Sequence, residues 1–321
     1  MRRIRLKLAW CAWLGLITFL ALWAMVTGFR LLFCGQDDTK RIVNFFSMDR
    51  DLFLNLHQYQ FILNADVVDV DVVTVVHSNP SHVTRRTEIR KTFGSVRYFK
   101  GVTSATVFML GLVTNQHLQQ QLQQEASTYG DMVQGNFIDH YQNVTHKHVM
   151  AMHWVGGHCN RAKVIVKMDD DVIVNPYNLV NYIKTTMLPN DTIHCSVRTK
   201  GIPERREGEI GYIPIEHYPF PVLPDHCTGF AYITTPHAYR KLCDASRDSR
   251  YLRNDGVYAT GVLALQAHVR RRHMGDKYIV SRCRAKENRQ HVLNDAIFVL
   301  NKKGQCGDFY ELWRHIQRNK H

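Results

Sequence analysis

The sequence predicts an α/β protein, built on a largely parallel sheet and held behind one N-terminal transmembrane helix. Three observations predict it. Residues 8–29 carry no charge and are rich in Leu, Ile, Ala and Trp, a stretch long enough to cross a hydrocarbon core of ~30 Å as a helix. Between about residues 70 and 185, β-branched runs alternate with helical periods, the pattern of strand–helix–strand crossovers. The composition, 45% apolar and 21% charged over 321 residues, is that of a globular chain with ample length for a core, and it excludes disorder.

The elements follow in order. Arg2, Arg3, Arg5 and Lys7 precede the apolar stretch and only Arg30 follows it closely. The positive-inside rule therefore makes 1–7 a cytosolic tail and 8–29 an uncleaved signal anchor, giving a single-pass type II protein. A cleaved signal peptide would have a shorter apolar region and a small-x-small site. Residues 30–65 have mixed polarity without a clear period and read as a stem, which leaves 66–321 as a lumenal domain. A lumenal domain rarely meets nucleic acid, so the net charge of +13 points to a phosphate-bearing ligand or a membrane surface. Eight Cys without a C-x-x-C pair exclude a zinc ribbon. The six at 159, 195, 227, 243, 283 and 306 have access to an oxidising lumen, and their pairing is open. Asn143 and Asn190 head N-glycosylation sequons.

Within the lumenal part, residues 70–76 are a β-branched strand. Residues 84–93 are a helix capped by Thr84 and stopped at Gly94. A second strand covers 105–110 and ends at Gly111. The Gln-rich stretch 116–129 is a solvated helix ended by Gly130, and 132–137 a third strand. A helix with one apolar side spans 146–159. Residues 162–168 form a buried strand that runs into three aspartates, and Pro176 opens the next helix. Beyond about 200, Pro and Gly break the pattern, and that half is expected to supply loops.

The sharpest site signal is Lys167-Met168-Asp169-Asp170-Asp171-Val172-Ile173-Val174-Asn175. Three adjacent carboxylates repel one another unless a cation neutralises them. Ligands of open α/β sheets bind at the carboxyl ends of strands. A hard divalent cation on oxygen ligands, shared with a diphosphate, explains the cluster economically. Alternate side chains share a face, so Asp169 and Asp171 act together while Asp170 faces elsewhere. Arg86 and Arg90, at i,i+4 on the helix after the first strand, are candidates to hold phosphate or base oxygens.

In these residues the chain resembles glycosyltransferase family 31, the β1,3-galactosyltransferase and β1,3-N-acetylglucosaminyltransferase group. Arg85 to Gly94 resembles its R-x-x-I-R-x-T-W-G segment, with Phe93 in place of Trp. Phe108 to Gly111 resembles its F-x-L-G strand. Asp131, Phe137, Asp139, Tyr141, Asn143, Thr145 and Lys147, followed by Trp154 and Cys159, resemble its central block. Lys167 to Asn175 resembles its K-x-D-D-D-x-x-V-N motif, and Glu216, Tyr218, Pro219 and Cys227-Thr228-Gly229 its acceptor-side segments.

The resemblance implies a GT-A-type, Rossmann-like nucleotide-sugar-binding fold and a UDP-galactose or UDP-N-acetylglucosamine donor. It implies Mn²⁺ on Asp171 and Asp169, and inverting β1,3 transfer to a glycan acceptor on glycolipid or glycoprotein, at the Golgi membrane. Arg86, Arg90, Asp139, Lys147, Asp169 and Asp170 would line the donor, Glu216 and Tyr218 the acceptor, and Asp255 would be the base. A homodimer is left open. Two departures stand out. The family's acidic pair is Asp255-Gly256 here, and the family histidine expected before the helix around Trp313 is absent from Val299-Leu300-Asn301. His273 and His291 are the substitutes considered. They keep open a second reading, a lumenal nucleotide-sugar or glycan-binding protein that transfers poorly. A metal phosphohydrolase ranks last, because no second carboxylate and histidine metal cluster is evident in the sequence.

Overall fold

The computed structural model describes residues 38–48, 59–66, 69–186, 188–209, 211–279, 294–301 and 307–319. The anchor expected at 8–29 lies outside them, as do Cys34, Cys283, His291 and Cys306. Among the described residues no helix is long and apolar enough to cross a membrane. The chain divides into units 1–45 and 46–321. Residues 38–47 are helical, α1.

The larger unit is an α/β domain. Its strands are β1 (Phe61–Leu63), β2 (Val72–His77), β3 (Tyr98–Phe99), β4 (Val102–Leu112), β5 (Met132–Ile138), β6 (Val164–Asp169), β7 (Val172–Val174), β8 (Thr192–Arg198), β9 (His226–Thr234), β10 (Arg270–His273), β11 (Tyr278–Ile279) and β12 (Phe298–Leu300). Its helices include α2 (Val83–Lys91), α3 (Gln116–Tyr129), α4 (Val144–His158), α5 (Pro176–Thr185), α6 (Pro236–Ala245) and α8 (Phe309–Arg318). Between α6 and α8 a single rod, α7, runs through Asp255–Val257, a π-helical stretch Tyr258–Leu263 and Ala264–Gln266.

The main sheet runs in the order β1-β5-β4-β2-β6-β9-β8-β10, with β3 paired to β4. β5, β4, β2 and β6 are mutually parallel, so their carboxyl ends share one edge. Every residue of β2 is buried, as expected of a parallel strand covered on both faces. A smaller sheet, β11-β12-β7, sits on the segment after the aspartates. Capping follows the local chemistry. The Asn115 side chain accepts from the Leu118 amide, and Gly130 ends α3 with φ 63. Asn175 and Thr235 cap α5 and α6, each followed by Pro at the first helical position.

Four expectations are corrected. The stem boundary at 65 cuts off β1, whose Phe61 pairs with Gly135. α2 begins at Val83 without a side-chain cap, so Thr84 lies inside it. Gly111 does not end its strand but sits within β4. The half beyond 200 supplies regular layers as well as loops. β9 pairs antiparallel with both β6 and β8 and lies inside the sheet. Pairing so distant in sequence leaves no local period to read. A disulfide joins Cys195 on β8 to Cys227 on β9, while Cys159 and Cys243 are buried thiols.

Candidate active site

The carboxyl edge of the parallel strands gathers the predicted residues. β2 ends in His77, with Ser78 directly after it, Gly111 is the penultimate residue of β4, and β6 ends in Asp169. In register, His77 lies beside Asp169 and Met109. α4 contributes Lys147 and His148 from beneath this edge, and the start of α7 contributes Asp255.

Asp169 ends β6, and Asp170 and Asp171 form the turn into β7, so strand alternation does not govern the triplet. Asp169 is half-buried and accepts from the Lys167 ammonium at 2.8 Å. Loss of solvent pushes its carboxyl up to about 7; the Asp255 and Asp171 charges add to the rise and Lys167 opposes it. Asp170 turns into the protein. One of its oxygens accepts from the Ser78 hydroxyl (2.8 Å), the Asn79 amide (3.2 Å) and the His82 ring (2.9 Å). Burial opposes its ionisation, but the His82 and Ser78 bonds prevail and hold its pKa below the usual range. Asp170 therefore pins the β2–α2 loop, and it does so with the carboxylate that the resemblance assigns to the donor. Asp171 is half-buried, and its carbonyl accepts from the Asn301 amide at 2.8 Å. The segment expected to carry a family histidine thus sits directly on the motif.

Asp169 and Asp171 lie close enough for each charge to disfavour the other, and both offer oxygen only. That set fits a hard dication such as Mn²⁺, which would relieve the repulsion.

Asp255 is linked to the motif by Lys167, whose ammonium donates to the Gly229 carbonyl (2.6 Å) and lies 3.6 Å from Asp255 Oδ2. The same oxygen accepts from His148 Nδ1 at 2.9 Å, and His148 Nε2 lies 2.7 Å from the Tyr232 hydroxyl. Burial would raise the Asp255 pKa, yet Lys167, the His148 bond and the Gly256 amide outweigh it and hold it at about 2. The side chain is 16% open. Gly256 presents no side chain because α7 lies against β9 there. A Cβ at 256 would stand 3.1 Å from Gly229 Cα.

Lys147 is buried. It donates to the Ser78 carbonyl (2.6 Å) and pairs with Asp139 at 2.9 Å. Asp139 in turn accepts from the Gly111 amide at 2.7 Å. A Cβ at Gly111 would lie 2.9 Å from the Asp139 amide, so glycine is what admits this approach.

Arg86 and Arg90 do not form a free phosphate clamp. All five N–H groups of Arg86 are taken, by Glu125, the Ser78 hydroxyl and the Asn79 and Pro80 carbonyls. Arg90 pairs with Glu125 and Asp131 at 2.7 and 2.8 Å. Guanidinium forks match carboxylates as well as phosphates, and α3 and the start of β5 supply the carboxylates. Tyr218 is likewise withdrawn from the acceptor side. It is fully buried and donates its hydroxyl to the Val222 carbonyl. Glu216 is exposed. Asn190 is exposed, while the Asn143 amide donates to the Ile138 carbonyl at 2.9 Å. His273, on β10, accepts from the Val197 amide of β8.

The residues that sequence reasoning missed are His77 and His148. Both are buried, and each joins the site only through tertiary packing. The one local signal was that His77 ends a buried strand.

A family profile described as galactosyltransferase matches residues 84–275, well over half of the chain. The chain belongs to that family. Among curated relatives, β-1,3-galactosyltransferase 1 of Mus musculus and of Homo sapiens are each 30% identical over 210 residues, covering 64% of this chain and 64% of the relative. β-1,3-galactosyltransferase 2 of Mus musculus is 26% identical over 257 residues, 78% of this chain and 59% of the relative. The match thus spans less than two thirds of these relatives' length. Among solved structures, galactosyltransferase LgtC in complex with donor and acceptor sugar analogues aligns at 8% identity and a TM-score of 0.40, over 77% of this chain and 95% of that one.

Proposed function

We propose that this chain is a UDP-sugar-dependent hexosyltransferase that moves galactose, ahead of N-acetylglucosamine, in β1,3 linkage with inversion onto a glycan acceptor. We place it as a Mn²⁺-dependent, single-pass type II protein of the Golgi membrane. The observation that carries the reading is the pairing of two carboxylate sites by one ammonium. Lys167 holds Asp169 at the strand end and lies 3.6 Å from Asp255 at the start of α7. One site suits a cation and the diphosphate; the other suits the acceptor hydroxyl.

When bound on Asp169 and Asp171, the metal would supply positive charge to the departing nucleotide. The chain's own residues do the rest. Lys147 and Asp139 fix the ends of β2 and β4, and Asp170 and Arg86 fix the loop above them. Asp255 accepts the proton of the attacking hydroxyl, with His148 and Lys167 setting its orientation and charge. The disulfide, the sequons and the charge asymmetry around 8–29 support the lumenal placement.

Gly256 favours one other reading, a nucleotide-sugar-binding protein that transfers poorly. The detergent-solubilised chain, incubated with Mn²⁺, UDP-galactose or UDP-N-acetylglucosamine and a panel of glycolipid and glycoprotein glycans, separates the two. Product from a galactose donor supports transfer, and tight donor binding without product supports the alternative.

A further inference from the structure

His77 takes no part in the proposed transfer. Its ring is buried beneath the strand ends, and neither nitrogen has a hydrogen-bond partner. A buried polar group left unpaired costs about 1–3 kcal/mol, so this position calls for an occupant. The groups around it are specific. His148 crosses it edge-on with ring centroids 5.0 Å apart, and Asp255 Oδ2 lies 4.0 Å from His77 Nδ1. One ligand atom from each of His77, His148 and Asp255 falls within 4.8 Å of the others.

We propose that His77, His148 and Asp255 bind a borderline divalent cation of the zinc class, at a second site buried behind the aspartate motif. Two nitrogens and one carboxylate oxygen are the donors such ions prefer, whereas the all-oxygen Asp169–Asp171 set suits manganese. Bonds of ~2.1 Å at a tetrahedral angle put ligand atoms about 3.4 Å apart. His148 and Asp255, at 2.9 Å, and His77 and Asp255, at 4.0 Å, bracket that spacing, and all three ligand atoms lie within 4.8 Å of one another.

The ion would replace the proton now lying between His148 Nδ1 and Asp255. His148 then carries its proton on Nε2 and donates it to Tyr232, whose hydroxyl is already 2.7 Å away. This is the outer partner that fixes a ligating imidazole's tautomer. The opposing term is the Lys167 ammonium. Its short bonds run to Gly229 and Asp169, and Asp255 is its longest contact, so the shared oxygen is the one it gives up most readily. Occupancy engages the Asp255 carboxylate and therefore opposes transfer. That consequence rests on the base assignment above; the binding itself does not.

The test is cobalt titration of the metal-stripped, detergent-solubilised full chain, followed by its visible spectrum and by zinc competition. The Asp169→Asn/Asp171→Asn chain is expected to keep one equivalent of Co²⁺ with imidazole-type bands, displaced by Zn²⁺. Adding His77→Leu to that chain removes the equivalent. In the absence of metal, His77→Leu also melts no lower than its parent, because it deletes an unpaired buried polar group. Should the leucine chain fail to fold, Asp255→Asn on the same background makes the same measurement. Equal cobalt stoichiometry with and without His77 (or the Asp255 carboxylate) overturns the proposal, as does the absence of any cobalt bound once Asp169 and Asp171 are neutralised.

Discussion

Replacing Arg86 with methionine distinguishes a structural brace from a ligand contact. Arg86 is fully buried and spends all five donors on the protein. Two go to Glu125, at 2.8 and 2.7 Å, and three go to the β2–α2 loop. Methionine keeps the apolar stem but leaves Glu125 with Arg90 alone, removes the Arg86 donor from the Pro80 carbonyl, and leaves the Asn79 carbonyl to the His82 amide and the Ser78 hydroxyl. Removing one partner of a buried ion pair costs about 3–5 kcal/mol. At ~2–4 °C per kcal/mol for a domain of this size, the melting temperature should fall by about 6–20 °C. Arg86→Lys should recover little of the loss, because an ammonium cannot reproduce the fork. The assay is a circular-dichroism melt of the full chain, run beside UDP binding. A melting temperature within about 2 °C of wild type, combined with a tenfold weaker donor, would show that the guanidinium serves the phosphate after all.

Three further outcomes follow from the same geometry. Asp255→Asn should lower kcat by about 100-fold or more, and it should flatten the acid unfolding curve. The depressed carboxyl stabilises the fold above its ordinary pKa near 4 and loses that contribution as pH falls toward 2; this is read by melts between pH 2 and 6. Gly256→Ala should cost about 1–3 kcal/mol by forcing a methyl against the Gly229 backbone 3.1 Å away, and an unchanged denaturation midpoint would refute the close approach. Cys195→Ser/Cys227→Ser should cost about 4 kcal/mol for a loop with a sequence separation of 32. Reductant should then lower the melting temperature of the native chain and leave the variant's unmoved.

The alternating half of the chain was legible because its signals are local. Gly130 and Pro176 punctuate helices where the structure ends and begins them, and the apolar run before Asp169 is a buried strand. What was hidden depends on partners far away. β9 carries Phe230 and Tyr232 at strand spacing, but Pro-rich sequence precedes it and its antiparallel place beside β6 has no local trace. The arginines on α2 looked free because Glu125 and Asp131 lie 39 and 41 residues from Arg86 and Arg90. Tyr218 was assigned to the acceptor side by the resemblance alone, because burial in a loop region has no period to read. His148 reaches Asp255 across 107 positions, and a lone histidine on an apolar helix face announces no such contact.

The central claim is that Asp169 and Asp171 hold a cation through which the donor diphosphate is bound. Calorimetry of UDP-galactose on the full chain, in Mn²⁺ and then in chelator, tests it most directly when repeated with Asp171→Asn. Binding that needs manganese in the native chain and is lost in the folded Asp171→Asn chain is the predicted result. UDP-galactose that binds equally well in chelator, or equally well to Asp171→Asn, would contradict it.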